Sequence, residues 1–307
     1  MLFPRSSGDM IADRRFAHAM RYKAEGDLPA AAELVEQALD AAPGWATGWF
    51  ALGEIHEGAG RRDEAVAAYR KSTALDAADE AGAGVRLARL GAIEADGAMT
   101  PTHVAALFDD YAARFEASLV QGLGYRGPAL LKEALGPLRT PFRFGPTLDL
   151  GCGTGLAGEA FGDACAVIEG VDLSPAMLAH ARRKEIYARL DQGEVTAFLE
   201  SRPAESADLI LAADVFVYLG SLEAIFRQTA RVLQPGGFFA FTAQRCEGPD
   251  AFQLGEDGRY AHSHGGIAAW AGGAGLTVAG RNDEWARWDR GAPVPGMVAV
   301  LARPAAG

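Results

Sequence analysis

Hydrophobic and polar positions follow two different periods along this chain. In the N-terminal third they recur at helical spacing. A shift of 34 residues superposes Tyr22 on His56, Gly26 on Gly60, Ala31 on Ala65, Val35 on Tyr69 and Ala38 on Ser72. That period belongs to paired antiparallel helices, and residues 80–96 (with VRLARLGAIEA) supply one more helical stretch. The segment Asp96–Pro101 (DGAMTP) reads as a linker, with Thr102 as the N-cap of the next helix. From about residue 140 onward, short apolar or β-branched runs alternate with helical stretches, the mark of a parallel sheet covered on both faces. Strands are predicted at Thr147–Leu150, Val167–Asp172, Ile186–Leu190, Asp208–Ala213, Gly237–Thr242, Leu276–Asn282 and Met297–Ala302. Only the loop DEWARWDRGAPVPG separates the last two, so they are expected to pair antiparallel. The expected architecture is α/β, a Rossmann-like seven-stranded sheet preceded by an all-α domain. Its divisions are residues 1–96, helical, and 97–307, with helices over 102–136 leading into a core at 146–307.

Composition narrows the function classes. The 307 residues are 49% hydrophobic, enough for two globular domains. With Lys+Arg 29 against Asp+Glu 40, the net charge of -11 gives no general attraction to phosphate backbones or anionic lipid, so neither nucleic acid nor membrane is an expected partner. No apolar run approaches the roughly 18 residues of a membrane span, and MLFPRSSGDM lacks the apolar core of a signal peptide. A cytoplasmic location is expected. Cys152, Cys165 and Cys246 are too few and too scattered for a disulfide framework or a zinc cluster, and no structural metal is expected.

In the second helical copy, Trp49, Leu52, Gly53, His56, Gly60, Ala65 and Tyr69 occupy the large and small positions of a repeat that resembles the tetratricopeptide (TPR) family. Gly53 and Ala65 would let two backbones approach closely. The first copy fits less well, because Arg15 and His18 stand at the Trp and Leu positions; Pro43 ends it where the family places proline. His18 and His56 read as packing residues of core or rim rather than ligands. Two repeats and a cap fall short of the roughly three units of a free-standing array. The resemblance therefore implies either a structural or self-associating appendage, or a groove for a protein or peptide.

The chemistry begins at LDLGCGTG, residues 148–155. A strand running into Gly151, Gly153 and Gly155 makes a turn that lets backbone approach a ligand, and the helix that follows offers free amides. Gly153 to Gly158 also satisfies the dinucleotide pattern G-x-G-x-x-G. Asp149, inside the strand, could meet an ammonium group but has no role against a pyrophosphate. Asp172 ends the second strand 21 residues after Gly151, where an acid can take both ribose hydroxyls, and Ser174 and Pro175 open the next helix. Gln192-Gly193-Glu194, ADLILAADVFVYLG and ARVLQPGGFFAFTA follow in order.

This ordered set resembles the class I S-adenosylmethionine-dependent methyltransferases over residues 103–307. The resemblance implies S-adenosyl-L-methionine (SAM) as cofactor. It assigns Asp149 and the Gly151, Gly153, Gly155 turn to the methionine part, Asp172 to the ribose and Leu173 to the adenine face. Glu194 would take the adenine amino group with the Val195 amide beside it; Asp191 is the alternate, and Glu194 can also be read as a helix N-terminal acid. Asp214, after the fourth strand, completes the cofactor set. Upstream, FDDYAARFEASLVQGLGYRGPALL resembles the helical lid of these enzymes. Phe108, Tyr111 and Phe115 share one helix face, and Tyr111, with Arg126 as second candidate, could reach the cofactor carboxylate. With the repeats, this lid, ADVFVYLG and the later GRYAHS, nearly the whole chain is similar to a bacterial group of predicted methyltransferases carrying TPR repeats.

A sulfonium methyl is already activated, so such a protein mainly aligns an acceptor and excludes water. The acceptor, a small molecule or a protein bound with help of the repeats, is not named by the sequence. The Asn/Asp-Pro-Pro-Tyr/Phe turn of amide- and base-nitrogen methyltransferases is replaced here by Asp214-Val-Phe-Val-Tyr218. Tyr218 is expected on the acceptor wall. Arg259, Tyr260, His262 and Ser263 read as a polar loop, with His262 as the available base because its ordinary pKa lies near neutrality. Two other readings stay open: a nicotinamide-dependent oxidoreductase, and a cofactor-binding regulatory protein without turnover.

Overall fold

The structure, a computed structural model, describes residues 6–116, 124–285, 288–289 and 292–305. It divides into two compact units, Met1–Ala106 and Leu107–Gly307.

The first unit contains α1 (Met10–Glu25), α2 (Leu28–Ala41), α3 (Ala46–Gly58), α4 (Arg62–Leu75) and the short α5 (Ala83–Arg89). Each boundary has a local cause. The Asp9 carboxylate accepts the amides of Ile11 and Ala12 at the start of α1, and Gly26, left-handed at φ 85°, ends it. Asp27 and Pro29 then open α2. The second helices of the two pairs are offset by the predicted period, since Leu28 to Arg62 and Ala41 to Leu75 are both 34 residues. Small residues of α2, including Ala31, Val35 and Ala38, pack with Phe16, Leu52 and Ile55, and Trp45 meets Phe16 edge-on at 4.7 Å. A Cβ on Gly53 would stand 2.5 Å from the Tyr69 ring, so this position has to be glycine for α3 and α4 to lie this close. His56 is buried and His18 exposed.

The helix predicted over residues 80–96 is limited to α5. The buried Asp79 carboxylate accepts the Ala83 and Gly84 amides at 2.7 Å and sets its start, and Gly91 at φ 65° closes the turn that follows. The Asp96–Pro101 segment is less of a free linker than its composition suggests. Ala98 is buried, and the Thr100 hydroxyl donates to the Ala78 carbonyl. The division between units accordingly falls inside the next helix, α6 (Pro101–Tyr111).

In the second unit α7 (Gly127–Leu135) precedes β1 (Phe144–Leu150), α8 (Leu156–Phe161), β2 (Cys165–Asp172), α9 (Pro175–Arg183), β3 (Arg189–Gln192), α10 (Val195–Glu200), β4 (Ala207–Ala212), α11 (Glu223–Val232) and β5 (Leu233–Gln244). Then come β6 (Phe252–Leu254), β7 (Tyr260–His262), α12 (His264–Gly273), β8 (Thr277–Asp283), β9 (Trp288–Asp289), β10 (Ala292–Pro293) and β11 (Gly296–Ala302). The main sheet has the order β3-β2-β1-β4-β5-β11-β8. β11 alone runs antiparallel to both of its neighbours, as the short connection after β8 requires. One face buries Leu150, Phe216, Phe226, Phe239 and Phe241, the other Leu131, Phe161, Leu209 and Val298. β3 begins at Arg189 rather than Ile186, because Tyr187 is withdrawn from the expected strand into the space between β2 and α8. Among the described residues, no helix is long and apolar enough to cross a membrane.

Candidate functional site

Three strand ends converge where the order reverses, at β1, β2 and β4. Beyond β1 the chain turns through Gly151 at φ 62°, with its α-carbon against Val215: a Cβ there would lie 2.6 Å from a Val215 methyl. Asp172, at the end of β2, straps this turn in place. One oxygen of its carboxylate accepts the Gly153 amide and the other the Ser174 amide, both at 2.9 Å. Burial pushes its pKa up, and those amides and that of Leu173 act in the opposite direction.

Asp149 is almost fully buried in β1, its Oδ2 accepting the Tyr187 hydroxyl at 2.6 Å. Its Oδ1 has no hydrogen-bond partner among the described residues. Burial, reinforced by the charge of Asp172 and opposed by Tyr187, pushes this carboxyl up to about 7. An unpaired buried acceptor costs about 1–3 kcal/mol, more when charged; a cationic ligand at the turn would remove that cost. A buried acid beside open glycine backbone fits the ammonium end of the expected cofactor and opposes a pyrophosphate.

The adenine-side residues are arranged differently from expectation. The Glu194 carboxylate accepts the amides of Thr196 and Ala197 at 2.7 and 3.0 Å and so caps α10, the alternative reading of this residue. Asp191 is held by Arg202 at 2.6 Å and Arg189 at 2.9 Å. Val195 is buried and Leu173 half-buried.

Residues of the predicted lid line the same region. Phe108 meets Phe115 at 6.0 Å and Tyr218 edge-on at 5.2 Å, and Tyr111 meets Phe115 at 5.6 Å. The face expected to be shared is broken, because α6 ends at Tyr111 and Phe115 follows a 3-10 turn; Phe108 alone of the three meets the Tyr218 ring. Asp109 accepts the Ser174 hydroxyl at 2.5 Å and the Ala176 amide at 3.2 Å, while Glu116 pairs with Lys184 at 2.7 Å. The start of α9 is thus tied to α6 and its end to the segment that follows α6. Arg126 is directed elsewhere: it lies over the Trp285 ring at 4.9 Å, between Glu133 and Glu284. Residues 117–123 of the predicted lid lie outside the described residues.

On the acceptor side, Asp214 adopts φ 61°, a strained conformation for a non-glycine residue, with its amide donating to the Thr242 hydroxyl at 2.8 Å. Burial pushes its carboxyl up to about 6 against the opposing charge of Arg259. Burial likewise pushes the Tyr218 hydroxyl up to about 12, again opposed by Arg259 and reinforced by Asp214 and Tyr111. The Arg259 charge thus acts on both the Asp214 carboxyl and the Tyr218 hydroxyl.

The polar loop expected at Arg259–Ser263 is instead the buried strand β7. Tyr260, His262 and Ser263 are all buried, and His262 is surrounded by Phe216, Phe252 and Trp270. Its Nε2 donates to the carbonyls of Leu219 and Gly220 at 3.1 and 3.0 Å, so the basic nitrogen is Nδ1, which is buried without a partner among the described residues and closed off from solvent. Burial lowers its pKa to about 4. The general-base assignment of His262 is corrected accordingly: the imidazole pins the turn after Tyr218. His262→Ala is expected to destabilise the protein by about 2–4 kcal/mol, through a cavity and two unpaired carbonyls. The pH profile of any turnover near neutrality should keep its shape; a thermal melt and that profile check both points.

No motif of the sequence singles out Tyr187, Asp109, Glu116 or Tyr125. Burial pushes the Tyr125 hydroxyl up, reinforced by Asp214, Asp149 and Tyr218. The available signal for Tyr187 was a set of glycines, Gly155, Gly158 and Gly170, each of which would bring a Cβ against its ring.

Residues 148–241 match the family described as methyltransferase domain. The chain is 34% identical over 102 residues to malonyl-[acyl-carrier protein] O-methyltransferase of Enterobacter lignolyticus, covering 33% of this chain and 39% of the relative. It is 30% identical over 139 residues to ubiquinone biosynthesis O-methyltransferase of Xanthomonas axonopodis pv. citri, covering 42% of this chain and 57% of the relative. The matches thus span less than two thirds of these curated relatives. Among solved structures, the chain is similar to one in the complex between the Haloferax volcanii Trm112 methyltransferase activator and a methyltransferase. That match covers 64% of this chain and 97% of the other at 21% identity, with a TM-score of 0.50, and establishes the fold.

Proposed function

We propose that this chain is a SAM-dependent methyltransferase whose cofactor lies against the Gly151–Gly155 turn. The observation that carries this reading is the pair of acids at the turn: Asp172 strapped to the Gly153 amide, and Asp149 with one buried oxygen unpaired. Asp172 would take the ribose hydroxyls, Asp149 and the glycine turn the methionine end, and Leu173 and Val195 the adenine. When bound, the cofactor supplies an activated methyl group. The chain's own task is then to hold an acceptor in line with it and exclude water. Phe108, Tyr111 and Tyr218 form an aromatic wall for that purpose, and Arg259 and Asp214 supply polar contacts beside it. Asp214 is the better-placed proton acceptor, since His262 is enclosed in the core.

The helical unit is read as a pair of TPR repeats, supported by the 34-residue offset of α2 and α4 and the Gly53–Tyr69 approach. A groove of about 710 Å³ along α1, lined by Met10, Ile11, Arg14, Arg15, His18 and Tyr22, supports a role in binding a partner, a protein acceptor or a second copy.

Calorimetry with S-adenosylhomocysteine and with the oxidised nicotinamide dinucleotide tests the cofactor. Binding of the first and not the second is expected, and the reverse would favour the oxidoreductase. Transfer of labelled methyl into a fractionated cell extract then reads whether the acceptor is protein or small molecule; a binder that transfers nothing to any fraction would be the regulatory alternative. Residues 97–307 alone should bind S-adenosylhomocysteine like the full chain, because every residue assigned to the cofactor lies beyond residue 106. A folded fragment that bound none would place part of the cofactor site in the helical unit.

A further inference from the structure

Tyr187 is wedged behind the glycine turn, on a loop between α9 and β3. A Cβ added to Gly158 would lie 2.5 Å from it, one on Gly170 3.0 Å, and one on Gly155 3.1 Å. The ring therefore fits only because three residues from the turn, α8 and β2 lack side chains. Its hydroxyl is used in both directions, accepting the Gly158 amide at 3.2 Å and donating to Asp149 Oδ2 at 2.6 Å. A ring held on three sides cannot swing, so the Asp149 carboxylate has one fixed orientation. One of its oxygens is occupied by Tyr187, and the other, Oδ1, is left without a partner among the described residues.

We propose that Tyr187 is a positioning residue: it occupies one oxygen of Asp149 so that the other stays aimed at the ammonium group of the cofactor's methionine part. The assignment rests on the cofactor reading above and adds a residue to it. Filling space between glycines would need only the ring; the hydroxyl, bonded to both the acid and the first turn of α8, is what orients Asp149.

Tyr187→Phe keeps the ring and removes that hydroxyl. The probes are S-adenosylhomocysteine, which carries the ammonium group, and 5′-methylthioadenosine, which has the nucleoside without the amino-acid part. Calorimetry should show S-adenosylhomocysteine binding weakened by about tenfold or more, the loss of one hydrogen bond to a charged group, with 5′-methylthioadenosine unchanged. Asp149→Asn should reproduce that split, and adding Tyr187→Phe to it should cost little more, because both act through one contact. Equal losses for the two ligands, or no loss for either, would overturn the assignment. Should Tyr187→Phe not fold, the split in Asp149→Asn decides: if absent, Asp149 does not meet the ammonium group and Tyr187 has nothing to position. A parent chain that binds neither nucleoside would instead overturn the cofactor reading, a result distinct from failure of the split.

Discussion

Asp172→Ala should lower affinity for S-adenosylhomocysteine by about 10²–10⁴-fold while the second unit stays folded. Two charge-assisted hydrogen bonds to ribose hydroxyls, at roughly 1.5–3 kcal/mol each, account for that range. The same carboxylate holds the Gly153 and Ser174 amides, so its removal also loosens the turn the ligand must meet. Folding should survive, because burial already disfavours the charged form of this acid and only two amides lose an acceptor. Far-UV circular dichroism and a thermal melt establish the fold, and calorimetry the affinity. An affinity within a few fold of the parent would show that Asp172 does not hold the ribose.

The second large effect is expected from Gly151→Ala. At φ 62° an L-residue pays about 1–2 kcal/mol, and the new Cβ would stand 2.6 and 3.1 Å from the two methyls of Val215. Val215 is itself packed against the main core, so it cannot turn away freely. A loss of about 3 kcal/mol, some 6–12 °C in melting temperature for a unit of this size, should accompany loss of cofactor binding. Gly153→Ala is the control for stability. It has φ 54° but nothing within 4 Å of the added carbon, so only the backbone cost of about 1 kcal/mol applies. Equal melting temperatures for the two variants would mean that the contact with Val215 does not constrain the turn.

The parts of this fold that were legible in the sequence are those set by neighbouring residues. Short apolar or β-branched runs indicate β1, β2, β4 and β5, the short connection after β8 requires an antiparallel return, and Ser174 and Pro175 mark the start of α9. The glycine turn and the acid at the end of β2 were legible for the same reason, since each occupies a fixed offset from a strand. What could not be read is set by partners far along the chain. Asp149 meets Tyr187 across 38 residues, and His262 meets Gly220 across 42. The run GRYAHS has the polarity of a surface loop, but its Tyr and His are buried because β7 lies against the turn after β4. IYARL has strand composition and so predicts a strand at Tyr187; the cleft that withdraws the ring is made by three separated glycines.

The position of β11 carries a consequence for how the chain assembles. It lies between β5 and β8 but follows both in sequence, reaching β5 across 52 residues, from Gln244 to Gly296. During synthesis β5 therefore emerges with one hydrogen-bonding edge unpaired, and the sheet stays in two pieces until residue 302 has left the ribosome. The paired helices α1–α2 and α3–α4, joined by short turns, can form from local contacts long before that. In the interval the exposed edge of β5, with Phe239 and Phe241 in the strand, is the place where nascent chains would pair with one another.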